Sequence, residues 1–185
     1  MDHSAKTQSA FDIQTVIEGD TVMYGFLGKC FVACQETRML GDQTVPGLRL
    51  VTKKAPQAAS IWVPHASALD RGLRLPMNKE QADAALCHIQ SKEIYFDVKD
   101  PWNKLVPQLD TCIYQQGGNG LAQVISFLTV LKKQYVIPPQ AISKYYDTVY
   151  KIFLKEMTDA FKEHQKKIDD LIQKGLKNKQ LPTNA

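Results

Sequence analysis

No apolar run in the 185-residue sequence approaches the roughly 18–20 residues that a membrane helix requires, so no spanning helix is expected. The first residues, MDHSAKTQSAFDIQ, lack a basic start followed by an apolar stretch. No secretory signal is therefore expected, and the chain is read as cytoplasmic, without a membrane role. Cysteine is scarce: Cys30, Cys34, Cys87 and Cys112 are the full set. Cys30 and Cys34, in a strand-like run, should point to one face about two pleats apart, a poor geometry for a shared metal. No second close pair follows, so the four are read as reduced core residues, with no metal and no cofactor.

Enzyme signatures are missing too. There is no GxSxG, no HExxH, no Walker loop and no dinucleotide fingerprint. His65 stands alone just after a strand-like run. Cys87 and His88 are neighbours on a predicted helix, where adjacent side chains diverge by about 100°. No catalytic residue is assigned, no small-molecule substrate is implied, and the chain is read as a binding protein rather than an enzyme. Its net charge of +4 is mild; it permits an anionic partner without requiring one. Most of the excess lies late, in KEHQKKIDDLIQKGLKNKQ, read as a solvated helix face and a frayed tail.

What is present falls into two textures. From Gly19, the runs DTVMY, KCFVACQE, GLRLVTK and ASIWVP are short and β-rich, separated by GFLG, RMLGDQTVPG and KKAPQA. Short strands at such close spacing predict a small antiparallel β-barrel of the SH3 or Tudor type. After LRLPM the apolar period shifts to about 3.6. Asn78 with Gln81 three residues on is a capping-box pattern, and Ala82, Ala85, Leu86 and Ile89 share one face behind it. GGNG at 117–120 breaks the chain; without a preceding strand or a following lysine it is not a phosphate loop. LAQVISFLTVLKKQ should be the most buried helix. A longer helix follows Pro138-Pro139 through Ile142, Tyr145, Val149, Ile152 and Phe153, and Ile168, Leu171 and Ile172 extend the pattern. The fold expected is α+β: a mobile arm over 1–17, an SH3/Tudor-like antiparallel β-barrel over 18–75, an α-helical domain over 76–175 and a basic tail over 176–185.

One segment stands apart. In VKDPWNKLVP, Asp100 and Pro101 resemble a helix start, which places Trp102 on a first turn. Pro107 would break a helix interior at a cost of about 3 kcal/mol, so the helix should either kink there or begin there.

These pieces, in this order, resemble the CarD-like (CdnL) family of bacterial transcription regulators over roughly Gly19 to Phe161. GDTVMYGFLGKCFVACQETRMLG is similar to the family's opening strands, which end in Glu-Thr-Arg. LRLVTKKAPQAASIWVPHASALDRGLR is similar to its next hairpin, with the Val-Pro step and the later Gly-Leu-Arg. Trp102 falls where the family carries a tryptophan before a C-terminal helix, and LAQVISFL falls on its Val-Ala-x-Val-Val-x-x-Leu helix. The resemblance implies an N-terminal domain that docks on the β subunit of RNA polymerase, like the module of the transcription-repair coupling factor. It implies a helical domain that touches promoter DNA in the minor groove at the upstream bubble edge, without reading sequence, and holds the open complex. It assigns Glu36 and Arg38 to the polymerase and Trp102 and Lys104 to DNA; Trp62 is read either as an aromatic anchor on the polymerase surface or as a residue of the barrel core. Trp62 replaces a basic family residue, and Leu105, Val106 and Pro107 replace more basic ones. An apolar wedge mounted on a rigid first turn explains an exposed tryptophan. The rival expectation is a generic SH3-like interaction module whose basic tail binds RNA or the ribosome.

Overall fold

A computed structural model of the chain describes residues 11–179 except Lys54, Pro56, Gln57 and Lys92. The fold is α+β, with a five-stranded antiparallel sheet followed by helices. The strands are β1 (Thr21–Tyr24), β2 (Gly28–Leu40), β3 (Gln43–Val51), β4 (Ser60–Pro64) and β5 (Leu73–Arg74), in spatial order β4-β3-β2-β1-β5. A short helix α1 (His65–Ala68) leads from β4 towards β5. The helical part comprises α2 (Lys79–Gln90), α3 (Trp102–Gln116), α4 (Gly118–Lys133), α5 (Gln140–Phe161) and α6 (Gln165–Lys177).

Each part has its own core. Val22, Cys30, Val32, Leu48, Leu50 and Val63 pack beneath the sheet. Leu105, Leu109, Leu121, Ile125, Phe127 and Phe153 centre the helical core. The capping box at Asn78 and Gln81 forms as predicted, each residue's side chain accepting the other's backbone N–H at 2.8–2.9 Å. Helix α4 is buried from Leu121 to Leu131 except at Gln123 and Thr129, as its unbroken apolar run predicts.

The structure differs from the sequence reading at several places. RMLGDQTVPG is not a long turn: β2 and β3 run through it and turn only at Gly41-Asp42, a two-residue loop with glycine at φ +61° in its first position. The arm expected over 1–17 lies outside the described residues up to residue 10. Beyond it Phe11, Ile13 and Val16 pack on the sheet's core, and Asp12 caps a 3-10 turn (Ile13–Thr15). Helix α3 starts at Trp102 with Pro101, not Asp100, at the cap, and it continues past Pro107 rather than beginning there. The bond that Pro107 cannot donate leaves only the carbonyl of exposed Asn103 short of its usual partner. The late helix divides at Lys162, whose φ of 54° ends α5. The basic run beyond it is not all solvated, since Ile168, Ile172, Leu176 and Lys179 are buried.

The two parts are closely joined. Arg74 of β5 makes a bidentate ion pair with Glu156 of α5, at 2.5 and 2.7 Å, and Met77 N–H adds a third bond to that carboxylate at 2.8 Å. Phe26, between β1 and β2, meets Tyr114 and Tyr145 edge-on, with ring centroids 5.8 and 5.4 Å apart. Gly72 takes φ +77° beneath Tyr114, where any Cβ would come within 2.8 Å of the ring. The GGNG run serves the same junction: α4 already begins at Gly118, and a Cβ on Gly117 or Gly118 would strike Arg74 or Met77.

Candidate functional site

The sheet's outer face is set by one irregularity. Val32 pairs with Leu50, but Cys34 pairs with Arg49, so a β-bulge inserts one residue between them. Because side chains alternate along a strand, this reverses the phase of everything beyond it. Cys30 and Val32 point into the core; Cys34, Glu36 and Arg38 point out. The expectation that Cys30 and Cys34 share a face is therefore wrong, and Cys34 is half-buried beside Glu36, with Sγ 3.7 Å from Oε2. Nor is Cys87 a core residue, for it is exposed on α2 while its neighbour His88 is half-buried.

Glu36, Arg38 and Trp62 come together on this outer face. Arg38 donates to Glu36 through Nε at 2.7 Å and pairs through Nη2 at 2.5 Å. Its guanidinium carbon lies 5.2 Å from the centroid of the Trp62 ring, a cation–π arrangement. Trp62 Nε1–H donates to the Glu36 carbonyl at 3.5 Å. Trp62 is half-buried, belongs to neither core, and lies across the strands under Arg38. Sequence reasoning missed two members. Arg49, the cross-strand partner of both Cys34 and Trp62, sits 3.8 Å from the second Glu36 oxygen. Gly47 is the floor under the indole, since a Cβ there would approach the Trp62 ring and the Val63 carbonyl to 2.6 Å. No single-strand pattern carries either residue; only the register does. Gly47→Ala should displace Trp62 and cost about 1–3 kcal/mol of stability by overpacking. Urea titration checks this, and an unchanged midpoint would show that the indole moves aside freely.

Strand β4, which carries Trp62, ends the sheet order, whereas β2, which carries Glu36 and Arg38, lies inside it. Strand β2 has an edge all the same. β1 pairs with β2 only from Gly28 to Phe31, and Val32 closes on Gly19 and Asp20. Among the described residues, Glu36 to Leu40 have a ladder partner only in β3, so this half of the hairpin offers one unpaired side.

The second surface lies on the helical part. Trp102, on the first turn of α3, is half-buried and stands edge-on to Tyr145, with centroids 5.5 Å apart and planes at 89°. Tyr145 is itself fixed, donating its hydroxyl to Asp110 at 2.6 Å; burial first, then that hydrogen bond, pushes its phenol far up. One side of the indole is thus backed by a rigid ring that also touches Phe26 of the sheet domain. Lys104 is exposed beside it. Trp102 and Lys104 are on a different domain from Glu36, Arg38 and Trp62, so the five residues form two separate surfaces.

The basic run ends in an unusual lysine. Lys179 is fully buried, and its ammonium donates to the carbonyls of His88 at 3.0 Å and Glu93 at 3.4 Å. Burial lowers its pKa from 10.5 to about 8, partly opposed by the Glu93 charge. Below pH 8 the folded and unfolded chains both hold the proton, and the burial cost applies in full. Between pH 8 and 10.5 only the unfolded chain keeps it, so this group makes stability rise with pH across that window, by at most about 1.4 kcal/mol per unit. Cys30 and Cys112, both pushed up by burial to about 11, act in the opposite sense. The expected result is therefore a difference: wild type should gain on Lys179→Met above pH 8, measured by urea titration at several pH values. Parallel curves would mean that Lys179 is hydrated.

Among known proteins, the sequence matches no family model and no curated relative. Fold and surfaces define the class: a two-part α+β protein in which no described helix is long and apolar enough to cross a membrane.

Proposed function

We propose that the chain is a bacterial, CarD-like transcription regulator. Its sheet domain binds the β subunit of RNA polymerase, and its helical domain contacts promoter DNA at the upstream bubble edge, stabilising the open complex. The sheet is read as an SH3/Tudor-like barrel, with the bulge supplying the bend and β5 returning to β1 after the α1 turn. The role is one of binding in the cytoplasm, without catalysis or cofactor.

The observation that carries this reading is the convergence of Glu36, Arg38 and Trp62 from two strands into one cluster on the sheet's outer face, beside a hairpin strand with an unpaired side. Arg49 strengthens it. Where Trp62 replaces a basic residue of the family, Arg49 sits directly across the strand pair, so the cluster keeps two guanidinium groups around one carboxylate. An aromatic anchor flanked by two arginines, with a free strand side next to it in β2, suits strand-addition docking. On the other domain, Trp102 with Lys104 offers an apolar edge and a phosphate contact that reads no sequence.

Arg38→Glu should weaken binding to the polymerase β subunit by about 1–3 kcal/mol, as expected for an interface charge contact. Calorimetry measures the affinity and circular dichroism the fold. Unchanged affinity with an unchanged fold would remove this face from the interface.

A further inference from the structure

A cleft of about 470 Å³ opens between the sheet domain and α5, within the usual range for small-molecule sites at domain interfaces. Its lining contains none of Glu36, Arg38, Trp62, Trp102 and Lys104. Its walls are apolar: Met23, Phe26 and Leu27 on one side, Ile152 and Pro76 on the other. Gly28 lies in the wall facing Ile152, where a Cβ would be in ordinary contact at 3.4 Å. Leu27, an apolar side chain at the mouth, is 48 % exposed.

The rim is cationic. Lys29, Lys151 and Lys155 all line the cleft. Of the two carboxylates there, Glu156 is consumed by Arg74 and the Met77 N–H. Asp159 divides its oxygens between Lys29 at 2.9 Å and Lys155 at 2.8 Å. Lys151 is exposed and has no ion-pair partner among the described residues. An apolar slot with surplus ammonium groups at its mouth is complementary to a molecule with an apolar tail and one anionic head.

We propose that this cleft binds a small amphipathic carboxylate of the medium-chain fatty acid class. The chain lies against Met23, Leu27 and Ile152, and the carboxylate meets Lys151 with help from Lys29 and Lys155. Such a ligand touches β1, the Phe26 turn and α5 together, so it ties the two domains in one arrangement. The proposal concerns this site alone and does not depend on the polymerase reading.

The test is titration of the full chain with dodecanoate, followed by calorimetry and by amide chemical shifts. The expected result is saturable one-to-one binding with shifts confined to residues 21–29 and 148–159. Lys151→Glu, at an exposed position, should weaken binding at least about ten-fold. Thr148→Trp, which fills the cleft from an exposed helix position, should abolish it, and dodecanol should bind at least about ten-fold more weakly than dodecanoate. Absence of saturable binding, or binding indifferent to both substitutions, overturns the site; equal affinity for the alcohol overturns the assignment of an anion.

Discussion

Glu156→Ala is expected to remove about 3–5 kcal/mol of folding free energy, the magnitude for breaking one partner out of a buried ion pair. The Glu156 side chain is 1 % exposed and that of Arg74 20 %. Alanine would leave a buried Met77 N–H without its acceptor and a largely desolvated guanidinium without its counter-charge, holding the Leu75 carbonyl at 3.1 Å. The loss falls on the domain junction, because β5 carries Arg74 and is itself held to β1 only at Met23–Arg74 and Tyr24–Leu73. Unfolding followed by far-ultraviolet dichroism, which weights the helices, and by backbone amides of the sheet should coincide in the wild type and separate in Glu156→Ala. Glu156→Gln keeps an acceptor for Met77 and should cost less. Combining Arg74→Met with Glu156→Leu should recover part of the loss, since the cost of the single change is chiefly the abandoned charge. A loss below about 1 kcal/mol for Glu156→Ala would mean that the pair behaves as a screened surface contact.

The contrast between this junction and the rest of the fold shows which features a single chain displays. The capping box at Asn78, the apolar run of α4 and the β-rich texture before residue 75 are local, set by period and propensity, and they were legible. The junction is not local. Arg74 and Glu156 are 82 positions apart, and nothing near either names the other. GGNG looked like a simple break because its reason lies in a distant segment: Arg74 and Met77 cross the α3–α4 corner where side chains would collide. The bulge after Val32 was equally hidden, although it decides which face bears Glu36 and Arg38. Alternation alone would have turned both into the core, and two buried charges facing Leu48 would have been untenable. Lys179 is the reverse case. Its composition suggested a solvated tail, yet the carbonyls that end α2 and begin the following loop provide acceptors for a buried ammonium.

On the proposed function, Trp102→Ala should leave polymerase binding intact and shorten the lifetime of open promoter complexes severely. The geometry refines the wedge. The indole is not free: Tyr145 backs it edge-on, and Tyr145 is in turn locked by Asp110 and Phe26. A wedge that must hold base steps apart needs such backing, because a ring free to rotate would yield to the closing duplex. Base steps at the bubble edge are already partly unstacked, so insertion avoids most of the few kcal/mol that opening an intact step requires. The same contact means that Trp102→Ala also loses packing, by less than the about 3–5 kcal/mol of a fully buried aromatic. Trp102→Phe separates the two roles, since phenylalanine preserves an edge contact with Tyr145 while presenting a smaller blade. Stability should then return to near the wild-type value while lifetime returns only in part. The measurement is decay of open complexes after competitor challenge at fixed salt, with all three proteins shown to be bound. Equal decay for wild type and Trp102→Ala would make the indole a packing residue of the α3–α5 contact and detach this chain from an open-complex mechanism.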